Sequence, residues 1–208
     1  MKTSKIIPLA DLETIYRILL QRIVKGYSAR QLSFLIGAAP NYVEEVETLL
    51  RPFYSGDELA RIALALDDAD VDNFCPAIND DSELHVSVDK YEYKEKIIHS
   101  YCRIDEQGEE EELFRLREDV EMTDDDLIEG DAEMQLVNDI ISVLLRANYF
   151  YEPKLPLEVF KAINNLLPTP VNLFYVSVAM ERFFDDDLET YPLRLVGENG
   201  GAYRYEEC

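Results

Sequence analysis

In the stretch GYSARQLSFLIGAAPNYVEEVETLLR the residues able to make specific polar contacts are Arg30, Asn41, Glu44, Glu45, Thr48 and Arg51. An asparagine amide can pair bidentately with an adenine edge, a glutamate can accept from cytosine N4, and arginines can hold phosphate. A second set lies near the C-terminus: Asn172, Tyr175, Arg182, Arg194 and Arg204. These types at these spacings suit recognition of a macromolecule. Other chemistry is poorly served. His85 and His99 stand alone, with no ligand partner at short spacing, and Cys102 has no third group that would orient a Cys–His pair. DDADVDN, residues 67–73, begins like a calcium loop but lacks glycine at its sixth position and glutamate at its twelfth, so a solvated loop is expected. There is no phosphate-cradling glycine loop and no zinc spacing. The expectation is therefore a non-enzyme with no cofactor and no metal.

The elements that must position the first set follow from spacing and caps. Leu12, Ile15, Tyr16, Leu19, Ile23 and Val24 recur at three and four residues and predict an amphipathic helix that Gly26 stops. Ser28 and Gln31 form a capping box for a short second helix with Leu32, Leu35 and Ile36 inward. Gly37 supplies a left-handed turn, and Pro40 is expected at the first position of a third helix that buries Tyr42, Val43, Val46 and Leu50. Ser55 and Glu58 cap a fourth, packed through Leu59, Ile62, Ala63 and Leu66. Ser28, Leu32, Ser33, Gly37, Tyr42, Val43, Val46 and Glu47 match in order and spacing the Cro/repressor-like (XRE) helix-turn-helix family, which this region, about residues 10–68, resembles. The resemblance implies a transcriptional regulator that reads DNA through residues 28–51, as a homodimer. Two positions depart from the family: Ala29 and Ala39 stand where polar contact or cap residues are usual. Adjacent Glu44 and Glu45 face phosphates badly, so the competing reading keeps the helix-turn-helix as a packing scaffold.

The second set needs a different support. Leu136, Ile140, Val143 and Leu144 predict one helix, Val159, Phe160, Ile163 and Leu167 another, and Leu173, Val176, Met180 and Phe183 a third. A hairpin follows, with GENGG as its turn. Three helices and a hairpin resemble a winged-helix domain over about residues 133–207. The resemblance implies that Asn172, Tyr175, Ala179 and Arg182 face out from the recognition position and that Arg194 and Arg204 sit on the wing.

Between them, LHVSVDKYEY, KIIHSYCRID and ELFRLREDV alternate as strands do, and EQGEEE reads as a turn, so a small antiparallel sheet or a tether with nascent strands is expected. The fold expectation is mainly α with small β elements: a helix-turn-helix bundle at 1–68, an acidic middle segment and linker at 69–132, and a winged-helix-like domain at 133–208.

Charge then weighs on function. The net charge is −23, and it is uneven. Residues 1–66 carry 8 basic and 7 acidic side chains, residues 67–135 carry 6 and 25, and residues 136–208 carry 6 and 11. A DNA-binding module usually shows a basic patch, and none is evident here. The alternative function is an acidic protein-interaction module, such as an antitoxin, an immunity-like protein or a DNA mimic, with a partner that presents a basic surface. No apolar run is long enough to cross a membrane, the N-terminus does not read as a signal peptide, and three widely spaced cysteines fit a reducing compartment, so a cytoplasmic protein is expected.

Overall fold

The chain's first residues are a strand. In the computed structural model, β1 (Lys2–Pro8) pairs antiparallel with β2 (Glu83–Glu92), which continues through β3 (Lys96–Ile104) to β4 (Glu110–Asp119). The sheet order is β1-β2-β3-β4. The structure describes residues 2–68, 70–75, 82–123, 126, 131–184, 192–197 and 201–208.

This overturns the mainly-α expectation. The molecule is mixed α and β, with a four-stranded antiparallel sheet joining the N-terminus to the middle of the chain. The reason is non-local. KTSKIIP carries too few apolar residues to announce a strand, and its partner lies some eighty residues away in sequence. Dense Asp and Glu made the middle block read as half linker. Among the described residues most of those acids occupy exposed strand positions and turns, with Glu118 of β4 buried, while β3 buries Ile98, His99, Ser100 and Tyr101 in succession. Consecutive strand residues point to opposite faces, so β3 has side chains shielded from solvent on both.

Two compact units emerge. The first holds residues 1–32 and 41–121; the second holds 33–40 and 122–208. In the first, α1 (Leu9–Lys25) buries Leu12, Ile15, Ile18, Leu19 and Arg22. Its inward face is shifted from the expected one: Arg22 is fully buried, and Val24 is exposed. Gly26, at φ 73, ends it as expected. The capping box of α2 (Ala29–Leu35) forms: Gln31 N–H donates to Ser28 Oγ at 3.1 Å, and Ser28 N–H donates to Gln31 Oε1 at 3.0 Å. Next comes α3 (Tyr42–Glu47), only six residues long. Pro40 lies two residues before it, not at its first position, and Leu50 is exposed, not buried. Then α4 (Gly56–Ala65) starts at the Ser55–Glu58 capping box. Tyr101 stacks on Phe114 at 4.3 Å between ring centroids, and Tyr16 of α1 packs on Phe114 at 4.7 Å, which ties helix to sheet.

In the second unit, α5 (Ala132–Arg146) is capped by Asp131, which accepts from the Glu133 and Met134 N–H groups. It packs through Met134, Val137, Ile140, Ile141 and Leu144; Leu136 and Val143 are exposed, so the expected face was rotated. Pro156 opens α6 (Pro156–Asn165), and Asn172 caps α7 (Leu173–Phe183). A two-stranded sheet follows, β5 (Leu193–Val196) with β6 (Arg204–Glu207). Lys154 bridges to Tyr205. Gly37, at φ 68, approaches the backbone at 203: its carbonyl accepts from Tyr203 N–H at 2.8 Å, and a Cβ at Gly37 would lie 2.6 Å from the Tyr203 oxygen. The centre of the GENGG turn, residues 198–200, and most of the acidic run after Thr123 fall outside the described residues.

Candidate interaction surfaces

The third helix decides whether the first set of side chains can read anything. Of its polar residues, Glu44, Glu45 and Thr48 engage the protein itself. Glu44 accepts from Lys90 of β2 at 2.8 Å, and Glu45 accepts from Arg51 Nε at 2.7 Å. Thr48 is 4% exposed, and its hydroxyl donates to the Glu44 carbonyl at 2.7 Å. Its own carbonyl accepts from Thr3 Oγ1 of β1 at 2.5 Å. Thr48 was expected to face out and does not. Asn41 is exposed at the start of α3 with no capping bond from its side chain, and Arg30 is exposed on α2. Asn41, Glu44, Glu45 and Thr48 are brought together, with Lys90, along a groove of about 390 Å³.

What holds α3 is a buried charge cluster that the sequence did not reveal. Arg22 is 0% exposed and Glu47 is 1% exposed. Arg22 Nε and Nη2 donate to Glu47 at 2.8 and 2.9 Å, Nη1 and Nη2 donate to Glu118 at 2.5 and 3.0 Å, and Nη1 also donates to the Tyr27 carbonyl at 2.6 Å. These are five donors and five acceptors, the full capacity of a guanidinium. His99 Nε2 lies 2.7 Å from Glu118 Oε2, and Tyr101 OH donates to the Glu47 carbonyl at 2.5 Å. The cluster links α1, α3, β3 and β4. Burial works against the Glu118 carboxylate, but the His99 and Arg22 hydrogen bonds and charges outweigh it and hold the carboxyl down at about 2. Burial opposes the Arg22 charge too, and its two carboxylates raise its pKa regardless. Glu47, which matched the family pattern, is thus a core anchor. The only prior signal was helical spacing that puts Arg22 on the same face as Leu19.

The outer face of the sheet carries a second groove that the sequence reading missed. It measures about 660 Å³ and is lined by Tyr91, Tyr93, Lys94, Lys96, Ile98, Arg115 and Arg117. The available signal was statistical: residues 67–135 hold only six basic side chains, and four of them meet here.

In the second unit the expected contact residues are mostly engaged. Asn172 Oδ1 accepts from Phe174 N–H, Tyr175 OH donates to Asp131 at 3.1 Å, Arg194 pairs with Glu206 at 2.6 Å, and Arg204 approaches Glu158 at 3.6 Å. Arg182 is exposed. Ala179, expected outward, is fully buried.

His99 and Cys102 do not pair, because they lie on opposite faces of β3. In the acidic 67–73 loop, Asp68 Oδ1 accepts from Asp70 N–H and Asn73 Nδ2, and Asp70 Oδ1 accepts from Asp72 N–H. Among the described residues no helix is long and apolar enough to cross a membrane. No family model matches the chain, and neither the curated proteins nor the solved structures searched contain a match.

Proposed function

We propose that this chain is an acidic protein-interaction module in which the helix-turn-helix serves as a scaffold, and that its partner presents a basic surface. The observation that supports this most is the internal engagement of α3: Glu47 in the core, Thr48 buried, Glu44 on Lys90, Glu45 on Arg51. Magnitudes separate these contacts. The two partly exposed ion pairs are worth about 0–1 kcal/mol each and would open cheaply, but opening them leaves two free carboxylates facing phosphate. Removing one member of a buried pair costs about 3–5 kcal/mol, so Glu47 is not available for contact. The acidic side supports the same reading. The β3–β4 turn and its flanks expose Asp105, Glu106, Glu109 and Glu111 together, a local field suited to lysines and arginines on a partner.

The test pairs two measurements on the full chain. Fluorescence polarisation with labelled duplex DNA at low salt is expected to show no saturable binding at micromolar protein. A pull-down with nuclease treatment is expected to retain a basic protein, and a direct complex with that protein is expected to weaken when Glu106, Glu109 and Glu111 are changed to Gln. Saturable duplex binding that Asn41→Ala abolishes would overturn the proposal and restore DNA reading by α3.

A further inference from the structure

The outer-face groove sits in a block where acids outnumber bases 25 to 6, yet its ionic lining is wholly basic. Its layout follows from register. Tyr91 pairs with Ile98, and Ile98 pairs with Arg117, so these three form one row across β2, β3 and β4. Residues two apart on a strand share a face, which adds Tyr93 beside Tyr91, Lys96 beside Ile98 and Arg115 beside Arg117. Ile98 forms a buried floor, and Tyr91 and Tyr93 are 39% and 57% exposed. Lys94 Nζ lies over the Tyr93 ring, 5.0 Å from its centroid. Lys96 pairs with Asp119 and Arg115 with Glu112, all on exposed side chains. Among the described residues neither Lys94 nor Arg117 has an ion-pair partner.

One edge of the groove therefore offers rings and the other offers guanidinium groups, two strand spacings apart, roughly 10 Å. A planar base and the phosphates it carries through a sugar span a distance of that order. Exposed tyrosines stack bases, and arginine forks take phosphate oxygens bidentately. Size argues against a long polyanion. Glu95 lies in the hairpin turn beside Lys94, Asp119 and Glu112 lie on β4 against Lys96 and Arg115, and phosphates running beyond the patch would meet these acids within the ~8 Å screening length.

We infer that the groove formed by Tyr91, Tyr93, Lys94, Lys96, Arg115 and Arg117 is a binding site for a free nucleotide, with the base on the tyrosines and the phosphates on the cations. This site is separate from the proposed protein-partner surface and stands whether or not that proposal does.

Calorimetric titration of the full chain in EDTA tests it, using ATP, GTP, adenosine, inorganic triphosphate, a twelve-residue oligothymidylate and an oligoglutamate. At least one nucleoside triphosphate is expected to bind once per chain in the micromolar range. Adenosine and inorganic triphosphate are each expected to bind about tenfold more weakly or worse. Arg117→Gln and Tyr91→Ala, both at exposed positions, are each expected to cost about tenfold in affinity with an unchanged thermal melt. Inorganic triphosphate binding as tightly as the nucleotide would remove the role of the rings. Tighter binding of the oligothymidylate would reassign the groove to single strands, and of the oligoglutamate to acidic peptides. Any of these three results, or no heat from ATP and GTP, overturns the inference.

Discussion

Arg22 shows how one side chain can set both stability and its pH dependence. With all five donors used, it neutralises part of a cluster that otherwise holds two carboxylates out of water. Arg22→Met keeps volume but strands Glu47 and Glu118, and a loss of about 3–5 kcal/mol is expected in urea unfolding at pH 7. Glu118 carries the pH term. Its folded carboxyl titrates at about 2 against an ordinary 4.5, so the folded state favours the ionised form. That contribution, about 3 kcal/mol, is complete above pH 4.5 and is lost as pH falls toward 2. Unfolding free energies measured from pH 6 down to pH 2 should therefore fall more steeply in the native chain than in Glu118→Gln, which is less stable at pH 6 but has lost this titration. Equal slopes would show that the cluster does not carry the acid sensitivity.

Turns show where sequence and structure agree and where they part. Caps are local, and Ser28–Gln31, Ser55–Glu58 and the Gly26 stop were legible because every partner lies within a few residues. The sheet was not, because the pairing of β1 with β2 is fixed by a register between distant segments. Nor was the burial of Arg22 and Glu47, since a charged residue on an apolar face looks like a boundary until its partner on β4 is placed. Gly37 could be read as a left-handed turn, but its contact with residue 203 could not. Gly37→Ala combines a positive φ with a Cβ placed against a carbonyl, and a loss of roughly 2–4 kcal/mol is expected by chemical denaturation. The β2–β3 hairpin holds the opposite case. Lys94 and Glu95 adopt φ 50 and 59 in a two-residue turn closed by Tyr93 and Lys96. Such turns favour Asn-Gly. Replacing Lys94 by Asn and Glu95 by Gly is expected to stabilise the chain by about 1 kcal/mol, read as a higher urea midpoint, and Lys94→Asn alone, which leaves Glu95 in place, is expected to weaken nucleotide binding. Lys94, held at a positive φ that costs stability, fits a position that serves contact in the groove.

At the scale of the whole molecule the charge is a cost that salt can relieve. A net charge of −23 repels itself more strongly in the compact state than in the expanded one. The exposed ion pairs between Lys2 and Glu110, Lys25 and Asp67, and Arg103 and Glu111 pull the other way, but such pairs are worth about 0–1 kcal/mol each and are screened by the same ions. The Arg22 cluster is buried and feels salt little. Repulsion is therefore the term that salt changes most. Raising sodium chloride from about 10 to 300 mM shortens the screening length from ~30 Å to under 8 Å, so most long-range repulsion disappears within that window. The melting temperature is expected to rise over this range, with the largest gain below 150 mM. Nucleotide binding should move oppositely, weakening as salt screens Lys94, Lys96, Arg115 and Arg117. A melting temperature that falls with salt would mean that surface ion pairs outweigh the net charge. Binding that strengthens with salt would mean that repulsion from the surrounding acids, and not attraction to the four cations, governs the approach of a phosphate to the groove.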